Sequence, residues 1–369
     1  MTCGGSLLYD AKYKTSSKRK FHMFSAHAVP ENMRAMLYDA RGPGKMAWHS
    51  IQQVPRIGKD QLLIKVDAGS LNPYDLKVTE SQTLFMTNKG HPVGRDMAGT
   101  VAAVGSRVHG FSTGDKVFGL APGCCQFAVA DVHRITHIPA DANSMEYGTI
   151  AFSGVVAHQI LSKHWLDRPD YTVRTILVIG ASGGVGSSVV QIARAFGGPE
   201  LVIYGICSHK KAQYVKEIGC SQAIEYTVRD FDIARLLPAG SIDLIIDLVS
   251  GVSGNPNYVE RGFTLLRTSG RYVCLNSTNS MDWVRAYMTE TCGCNIQRSR
   301  FDLFSVNQKR PARNLLVVAR LIEEGKLKPF VSQDVPLAET SIRRALHAVK
   351  QGHTKGKIRV VPETYSTTV

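Results

Sequence analysis

No apolar run in this chain of 369 residues is long enough to cross a bilayer, so we expect no membrane span. Acidic residues are scarce beside basic ones: 30 Asp and Glu stand against 44 Lys and Arg, for a formal net charge of +14. That charge suits anionic cofactors and substrates and permits weak, salt-sensitive nucleic-acid binding. The chain lacks a zinc-finger, RNA-recognition or helix-turn-helix signature, so the charge alone argues only weakly for nucleic acid as a partner.

Cysteine pairs at metal-binding spacing are also missing. The eight cysteines are scattered along the chain, and neither Cys124-Cys125 nor Cys292/Cys294 forms a CxxC or has a second pair at zinc spacing. This pattern argues against a structural zinc site and indicates reduced thiols in an intracellular protein.

Residues 1–32 have a thin apolar content and frequent serines, and their five basic residues outnumber their two acidic ones. We expect a basic N-terminal extension outside the fold, either a disordered tail or a mitochondrial targeting segment. A cytoplasmic location is the first expectation, and a mitochondrial location is the alternative.

A strand, a glycine-rich turn and a helix are predicted in succession between residues 174 and 197, RTILVIGASGGVGSSVVQIARAFG. The apolar run Ile176–Ile179 is typical of a buried parallel strand, and apolar residues recur at helical spacing from Val189 to Phe196. Gly183 lets the backbone approach a pyrophosphate, Gly186 lets the helix pack closely on the strand, and the helix N-terminus attracts phosphate. The pattern predicts a dinucleotide-binding βαβ unit, with an ordinary tight turn as the alternative.

The second strand of this unit favours NADPH over NADH. NAD-specific sites place a carboxylate near the end of that strand, but no Asp or Glu occurs between positions 200 and 217. The predicted strand, residues 201–206, instead runs into a turn with Ser208 and Lys211, whose hydroxyl and ammonium groups suit a 2′-phosphate. Tyr226 follows the predicted third strand and is expected to reach the same phosphate. The alternative is a solvated basic turn.

The period of the apolar pattern divides the folded region. Residues 33–126 show short predicted strands such as Leu62–Val66, broken by glycine and proline, which is typical of a barrel-like β domain. From about residue 158, strands such as Ile242–Leu248 alternate with helices, which indicates a doubly wound parallel sheet. A terminal strand, Gly356–Val361, is predicted to return to the first domain. We therefore predict a β domain from residues 33–157 and 304–369, and a nucleotide-binding domain from residues 158–303.

Several short motifs occur together in the order found in one enzyme superfamily. They are LNPYD at residues 71–75, GRDMAGTV at 94–101, GDKV at 114–117, the glycine turn, and GHTKGK at 352–357. With them the chain resembles the medium-chain dehydrogenase/reductase superfamily, and within it the zinc-free quinone oxidoreductase branch that includes zeta-crystallin-like proteins. The Gly-Arg-Asp triplet at 94–96 is similar to that of the mitochondrial, reticulon-interacting type. The resemblance implies an α/β fold with a GroES-like β-barrel-type catalytic domain and a Rossmann doubly wound parallel sheet, and it implies a homodimer.

The resemblance also implies chemistry without a metal. Alcohol dehydrogenases of this superfamily bind catalytic zinc through a cysteine where this chain has Asn72 and through a histidine where it has Arg95. An amide and a guanidinium cannot replace those ligands. We therefore expect no metal site, and hydride transfer to an acceptor that is already electrophilic, such as a quinone or an α,β-unsaturated carbonyl. Lys77 stands where related quinone reductases often have a tyrosine, which leaves the substrate open.

Three residues are implied to lie near the reacting atoms. Asn72 is expected to orient an oxygen of cofactor or substrate, or else only to stabilise a turn. Tyr74 is expected to line the pocket or donate a proton, or else to pack as an aromatic. Arg95 is expected to stabilise a developing oxyanion, or to form a salt bridge inside the β domain. Asp75 and Asp96 are interpreted as structural residues that accept hydrogen bonds from backbone N–H groups.

Further residues are assigned to the cofactor by the resemblance. Pyrophosphate contacts are implied for three residues of the glycine turn, Ser182, Gly184 and Val185. Contacts with the nicotinamide ribose and carboxamide are implied for the backbone at strand ends, at Leu248, Val249 and Leu275. Gly356 and Lys357 are expected to return from the terminal strand towards the cofactor cleft.

Three functions remain as alternatives at this point. The first is a zinc-free reductase that transfers a hydride from NADPH to a quinone. The second is an enoyl or alkenal reductase with the same fold and a different pocket. The third is an NADPH-binding scaffold or RNA-binding protein with little turnover, which the basic charge permits.

Overall fold

The computed structural model describes residues 29–38, 46–80, 90–139, 141–229, 231–251, 256–277, 300–308, 311–352 and 354–362. Most of the predicted basic extension, residues 1–28, lies outside the described residues. So do Cys292 and Cys294, and so does His353 of the GHTKGK motif.

The first part of the described chain is built mainly from short strands. Its elements are β1 (Asn32–Tyr38), β2 (Met46–Gln53), β3 (Gln61–Ser70), α1 (Pro73–Glu80), β4 (Asp96–Val104), β5 (Lys116–Gly119), β6 (Phe127–Asp131), β7 (Ile135–His137), α2 (Ser144–Tyr147) and α3 (Ala151–Leu161). Strands β1 and β2 form an antiparallel ribbon. Strands β3 to β7 belong to a seven-stranded sheet in which β3 pairs with both β4 and β6, as in the predicted barrel-like domain.

A six-stranded parallel sheet follows. Its elements are β8 (Thr175–Ile179), α4 (Gly184–Gly197), β9 (Val202–Cys207), α5 (Ala212–Glu217), β10 (Gln222–Glu225), α6 (Ile233–Leu236), β11 (Ile242–Asp247), α7 (Val259–Leu265), β12 (Leu266–Cys274) and β13 (Phe301–Leu303). The strand order is β10-β9-β8-β11-β12-β13, so the winding direction reverses between β8 and β11. Ligands of such sheets bind at the carboxyl ends of the strands at this reversal. The glycine turn lies there, because it directly follows β8.

The terminal segment returns to the first sheet. After β13 the chain forms α8 (Ala312–Glu323), β14 (Val331–Pro336), α9 (Glu339–Lys350) and β15 (Lys357–Val361). Strand β15 pairs parallel with β14 and antiparallel with β3, so one sheet contains residues from both ends of the described chain. The predicted return of the terminal strand is confirmed.

Burial of apolar side chains accounts for the central elements. The run Ile176–Ile179 in β8 is fully buried, as expected for a central strand covered on both faces. Helix α4 buries Val189 and Ile192 completely, but Phe196 of the same pattern, in the last turn of the helix, is half exposed and lies beside His158 of α3. The predicted α/β fold class is confirmed, and the exact domain boundaries stay predictions.

Candidate functional site

The glycine turn is shaped to leave backbone donors available. Gly180 ends β8 with a φ of 87°, a left-handed conformation that favours glycine. A Cβ on Gly186 would lie 2.2 Å from the Gly180 carbonyl oxygen, so only glycine allows this close packing of α4 on the strand. A Cβ on Gly183 would meet only that same oxygen, at 3.5 Å. Gly183 is also the N-cap of α4, and no side chain caps the helix in the described structure. Its first N–H groups are therefore suited to phosphate oxygens.

The terminal segment lies directly against this turn. The Gly356 N–H donates to the Ser182 carbonyl oxygen at 3.0 Å, and Gly356 pairs with Gly183 as an isolated parallel bridge. The Lys357 side chain passes over Gly184, since a Cβ there would lie 2.8 Å from Lys357 Cδ. The structure therefore brings together Gly356, Lys357 and the glycine turn, as expected from the sequence.

The Lys357 ammonium lies in a buried polar network. Its Nζ donates to Asn72 Oδ1 at 2.5 Å and to Asp96 Oδ2 at 2.9 Å, and the side chains of all three residues are less than one-tenth exposed. Asn72 Nδ2 donates to the same Asp96 oxygen at 2.8 Å, and Ser70 Oγ does so at 2.6 Å. An ammonium only donates and a carboxylate only accepts, so the network sets the orientation of the Asn72 amide.

Two buried aspartates hold the loop that carries Asn72. Asp96 accepts the Phe152 backbone N–H at 2.5 Å, which agrees with its predicted structural role and adds to its place in the network. Asp75 accepts the Asn72 N–H at 2.7 Å and the Tyr38 hydroxyl at 3.2 Å. Burial raises the pKa of Asp75 to about 6. The loop geometry thus depends on two carboxyl groups removed from water.

Tyr74 and Arg95 lie together at the side of this loop. The Arg95 guanidinium carbon lies 4.4 Å from the centre of the Tyr74 ring, and the ring of Phe152 lies 5.6 Å from the Tyr74 ring. Arg95 also donates to Gln308 Oε1 at 2.8 Å, which connects the β domain to the segment after β13. Among the described residues Arg95 forms no ion pair, so the salt bridge considered for it is not found there.

The three residues predicted for the 2′-phosphate come together at the ends of β9 and β10. Ser208 follows β9 and Tyr226 follows β10, and the Tyr226 N–H donates to the Cys207 carbonyl oxygen at 3.1 Å. Lys211 lies one turn after Ser208, and its Nζ donates to the Thr354 carbonyl oxygen at 2.8 Å. Burial lowers the pKa of Lys211, and the side chain is only partly withdrawn from solvent.

Lys355 is a further cation beside this group that sequence reasoning missed. Its Nζ lies 4.6 Å from the centre of the Tyr214 ring and 4.3 Å from that of Phe330. Lys355 directly precedes Gly356 in the GHTKGK motif, so the position of Lys355 near the turn could have been predicted from that of Gly356.

The ends of β11 and β12 are held by a carboxylate that the sequence reasoning also missed. Asp247 accepts the Val249 N–H at 2.9 Å and the Tyr272 hydroxyl at 2.5 Å. The Leu248 N–H donates to a carbonyl of β8, and the Leu275 N–H donates to the Asp247 carbonyl. Because all three predicted nicotinamide-contact residues already use their N–H groups, any such contact rests on their carbonyl oxygens or side chains. The available signal was Asp247 itself, which directly follows the apolar run Leu244–Ile246 at the end of the strand.

The residues at the zinc positions do not fit a zinc ion. Asn72 Oδ1 accepts from an ammonium, and Arg95 is cationic and bonded to Gln308. Within the described ranges there is no group of three or more His, Cys, Asp or Glu residues that could hold a metal. Nor does any helix in the described part of the chain have the length and apolar character to cross a membrane.

Two family models match separate parts of the chain. Residues 58–165 match the model for the alcohol dehydrogenase GroES-like domain, and residues 218–360 match the model for zinc-binding dehydrogenase. The latter match does not include Asn72 or Arg95.

Individual relatives cover most of the chain. It is 28% identical over 345 residues to the chloroplastic quinone-oxidoreductase QR1 of Triphysaria versicolor, covering 89% of this chain and 98% of that protein. It is 24% identical to the mitochondrial NAD(P)H oxidoreductase RTN4IP1 of Mus musculus, covering 81% of each chain. Among solved structures, the quinone oxidoreductase from Coxiella burnetii superimposes with a TM-score of 0.70 at 26% identity, covering 89% of this chain and 99% of that one.

Proposed function

We propose that this chain, which belongs to the medium-chain dehydrogenase/reductase superfamily and to its quinone oxidoreductase branch, is an NADPH-dependent reductase that transfers a hydride to a quinone. One observation carries the proposal: Lys357 crosses the glycine turn at Gly184 and fixes the amide of Asn72. One lysine side chain thus contacts both the glycine turn and an oriented polar group from the β domain.

The residues around the turn fit NADPH. The uncapped start of α4 and the open face of Gly183 suit the pyrophosphate, with Ser182, Val185 and Gly186 in the same turn. Ser208, Lys211 and Tyr226 suit the 2′-phosphate, and the strand before them lacks the carboxylate that a ribose 2′-hydroxyl would need. When bound, NADPH supplies the hydride, and one further proton completes the reduction of a quinone to a hydroquinone.

Asn72 is the residue best placed to orient the acceptor. Its amide nitrogen carries two hydrogens, and the described contacts use one of them for Asp96. The second hydrogen is available to an oxygen of the substrate or of the nicotinamide amide. Because Lys357 and Asp96 prevent the amide from flipping, this donor is held in place before the acceptor binds.

The acceptor must be electrophilic without help from zinc, since Asn72 and Arg95 do not fit that ion. Quinones meet this requirement, and so do enones, which take the hydride at carbon. An enoyl or alkenal reductase is therefore the second candidate. The enoyl or alkenal reductase is favoured by Lys77, which stands where related quinone reductases often have a tyrosine. In this chain the Lys77 ammonium donates to the Asn276 side chain. A scaffold or RNA-binding role is the third candidate and rests on the net charge of +14 alone.

Two finer expectations belong to the same proposal. We expect a homodimer formed by edge pairing of the parallel sheets, which sedimentation of the full chain would test. The cytoplasmic location, with a mitochondrial alternative, depends on residues 1–32 and would be tested by imaging the tagged full-length protein.

The direct test is the initial rate of NADPH oxidation with a simple naphthoquinone, with parallel assays that use NADH, an enone or a zinc chelator. We expect quinone turnover that prefers NADPH and is unaffected by chelator. Lys211→Gln should raise the KM for NADPH about tenfold and leave that for NADH unchanged, because one charge-assisted contact is lost. Its exposed neighbour offers the matched control, Lys210→Gln. Loss of turnover with chelator, or absence of NADPH binding, would overturn the proposal.

A further inference from the structure

Two arginines of the first sheet have donors without acceptors among the described residues. Arg95 directly precedes β4, and Arg134 ends the single helical turn between β6 and β7. The Nε atoms of both are buried, and neither has a hydrogen-bond partner within the described ranges. A buried donor without an acceptor is costly, so a pair of them calls for an explanation.

The charges around the pair increase that cost. Burial lowers the pKa of Arg134, and the positive charge of Arg95 lowers it further. Asp131 partly offsets this effect, but its carboxylate accepts from Gln61 and forms no ion pair with Arg134 within the described chain. Among the described residues, no carboxylate lies at ion-pair distance from either guanidinium.

The position of the pair relates it to the acceptor. Arg95 covers the ring of Tyr74, for which the family resemblance implies a place at the substrate pocket, and it donates to Gln308 in the segment after β13. Strands β4 and β7 both pair antiparallel with β5, and the two arginines directly precede β4 and β7, so they lie at the same end of the sheet, two strands apart. A guanidinium matches the geometry of carboxylate and phosphate oxygens, and it binds them through charge-assisted hydrogen bonds.

We propose that Arg95 and Arg134 form an anion subsite beside Tyr74, and that the physiological acceptor carries a carboxylate or phosphate group. This inference rests on the proposed reductase function and narrows its substrate class. An anion there supplies acceptors to the buried donors and relieves the repulsion between the two cations.

Binding tests the subsite without turnover. The probes are naphthoate, naphthyl phosphate and the neutral, similarly shaped naphthamide, titrated by calorimetry into the full chain saturated with NADP⁺. We expect at least one anionic probe to bind about tenfold tighter than naphthamide. The tighter of the two anionic probes then identifies the group of the acceptor as a carboxylate or a phosphate. Raising the salt concentration should weaken binding of the anionic probe and leave binding of naphthamide unchanged.

Variants then locate the effect. Arg134→Gln should remove most of the preference for the anion, whereas Arg134→Lys should keep part of it. Arg107→Gln removes an equal charge from an exposed pair with Asp60 and should change nothing. Equal binding of the anionic and neutral probes to the wild type, or a preference that Arg134→Gln leaves intact, would overturn the subsite. The salt titration of the wild type decides the matter if the variant fails to fold.

Turnover separates this inference from the proposed function. A naphthoquinone sulfonate and the unsubstituted quinone form a charged and a neutral pair of acceptors. We expect Arg134→Gln to raise the KM of the sulfonate several-fold relative to the neutral quinone, with little change in kcat. If neither quinone is reduced while the anionic probe still binds better, the subsite stands and the quinone reductase proposal fails. If both are reduced equally well by both proteins, the subsite fails and the reductase stands.

Discussion

Replacing Lys357 with methionine removes the centre of the buried network and keeps most of the side-chain volume. The ammonium donates to Asn72 and Asp96, and Asp96 is completely buried. The substitution therefore leaves a carboxylate in the interior without its cation. Removing one partner of a buried pair generally costs about 3–5 kcal/mol of unfolding free energy.

Three donors remain on Asp96 in this variant, from Ser70, Asn72 and the Phe152 backbone. Because these hydrogen bonds still favour the ionised carboxylate, we expect a loss near the lower end, about 3 kcal/mol. The Asn72 amide also loses the donor that sets its orientation. We therefore expect turnover to fall even where the folded protein predominates, through kcat more than through the KM for NADPH.

Urea unfolding followed by tryptophan fluorescence measures the stability change, and initial rates measure the catalytic one. Arg107→Met breaks an exposed pair with Asp60 and should change the stability far less than Lys357→Met does. The double variant Asp96→Asn with Lys357→Met removes both charges, so it should be more stable than Lys357→Met alone. The reasoning is refuted if Lys357→Met costs no more than Arg107→Met, or if the double variant loses the sum of its two single losses.

Two further predictions concern the supporting loop and the glycine turn. Burial raises the Asp75 pKa from 3.8 to about 6, so the folded protein favours the protonated carboxyl. The stability that this protonation provides is complete at pH values below the pKa of the unfolded chain. About 3 kcal/mol of unfolding free energy is lost as the pH rises from about 4 through about 6. Asp75→Asn should flatten this pH dependence, which urea unfolding measures. An identical slope in both proteins would contradict this reasoning. Gly183→Ala should change the free energy of unfolding by about 1 kcal/mol or less, because the new Cβ has only one neighbour, at 3.5 Å. The same substitution should weaken NADPH binding about tenfold, because the Cβ stands where the backbone approaches the pyrophosphate. Gly186→Ala should instead destabilise the free protein by about 1–3 kcal/mol, because its Cβ would overlap a carbonyl at 2.2 Å, and a reversal of these two effects would show that the turn does not bind phosphate.

Local patterns in the sequence were sufficient for the elements and for their class. The apolar run Ile176–Ile179 falls inside β8, and the helical spacing that follows it falls inside α4. Such features are local, because the side-chain period and the freedom of glycine at positive φ act within a few residues. The clustering of Ser208 and Tyr226 could also be anticipated, because parallel strands end at the same edge of a sheet.

Only the tertiary structure decided what the charged side chains do. Lys357 and Asn72 are 285 residues apart and meet because β15 returns to pair with β3. The family resemblance implied that Lys357 returns towards the cofactor, and the structure shows its ammonium buried on Asp96. Arg95 and Gln308, 213 residues apart, meet for a similar reason. Sequence determines which groups are present and which short elements form. The path of the chain determines which of them meet and which are removed from water, and removal from water decides the energy of a charge.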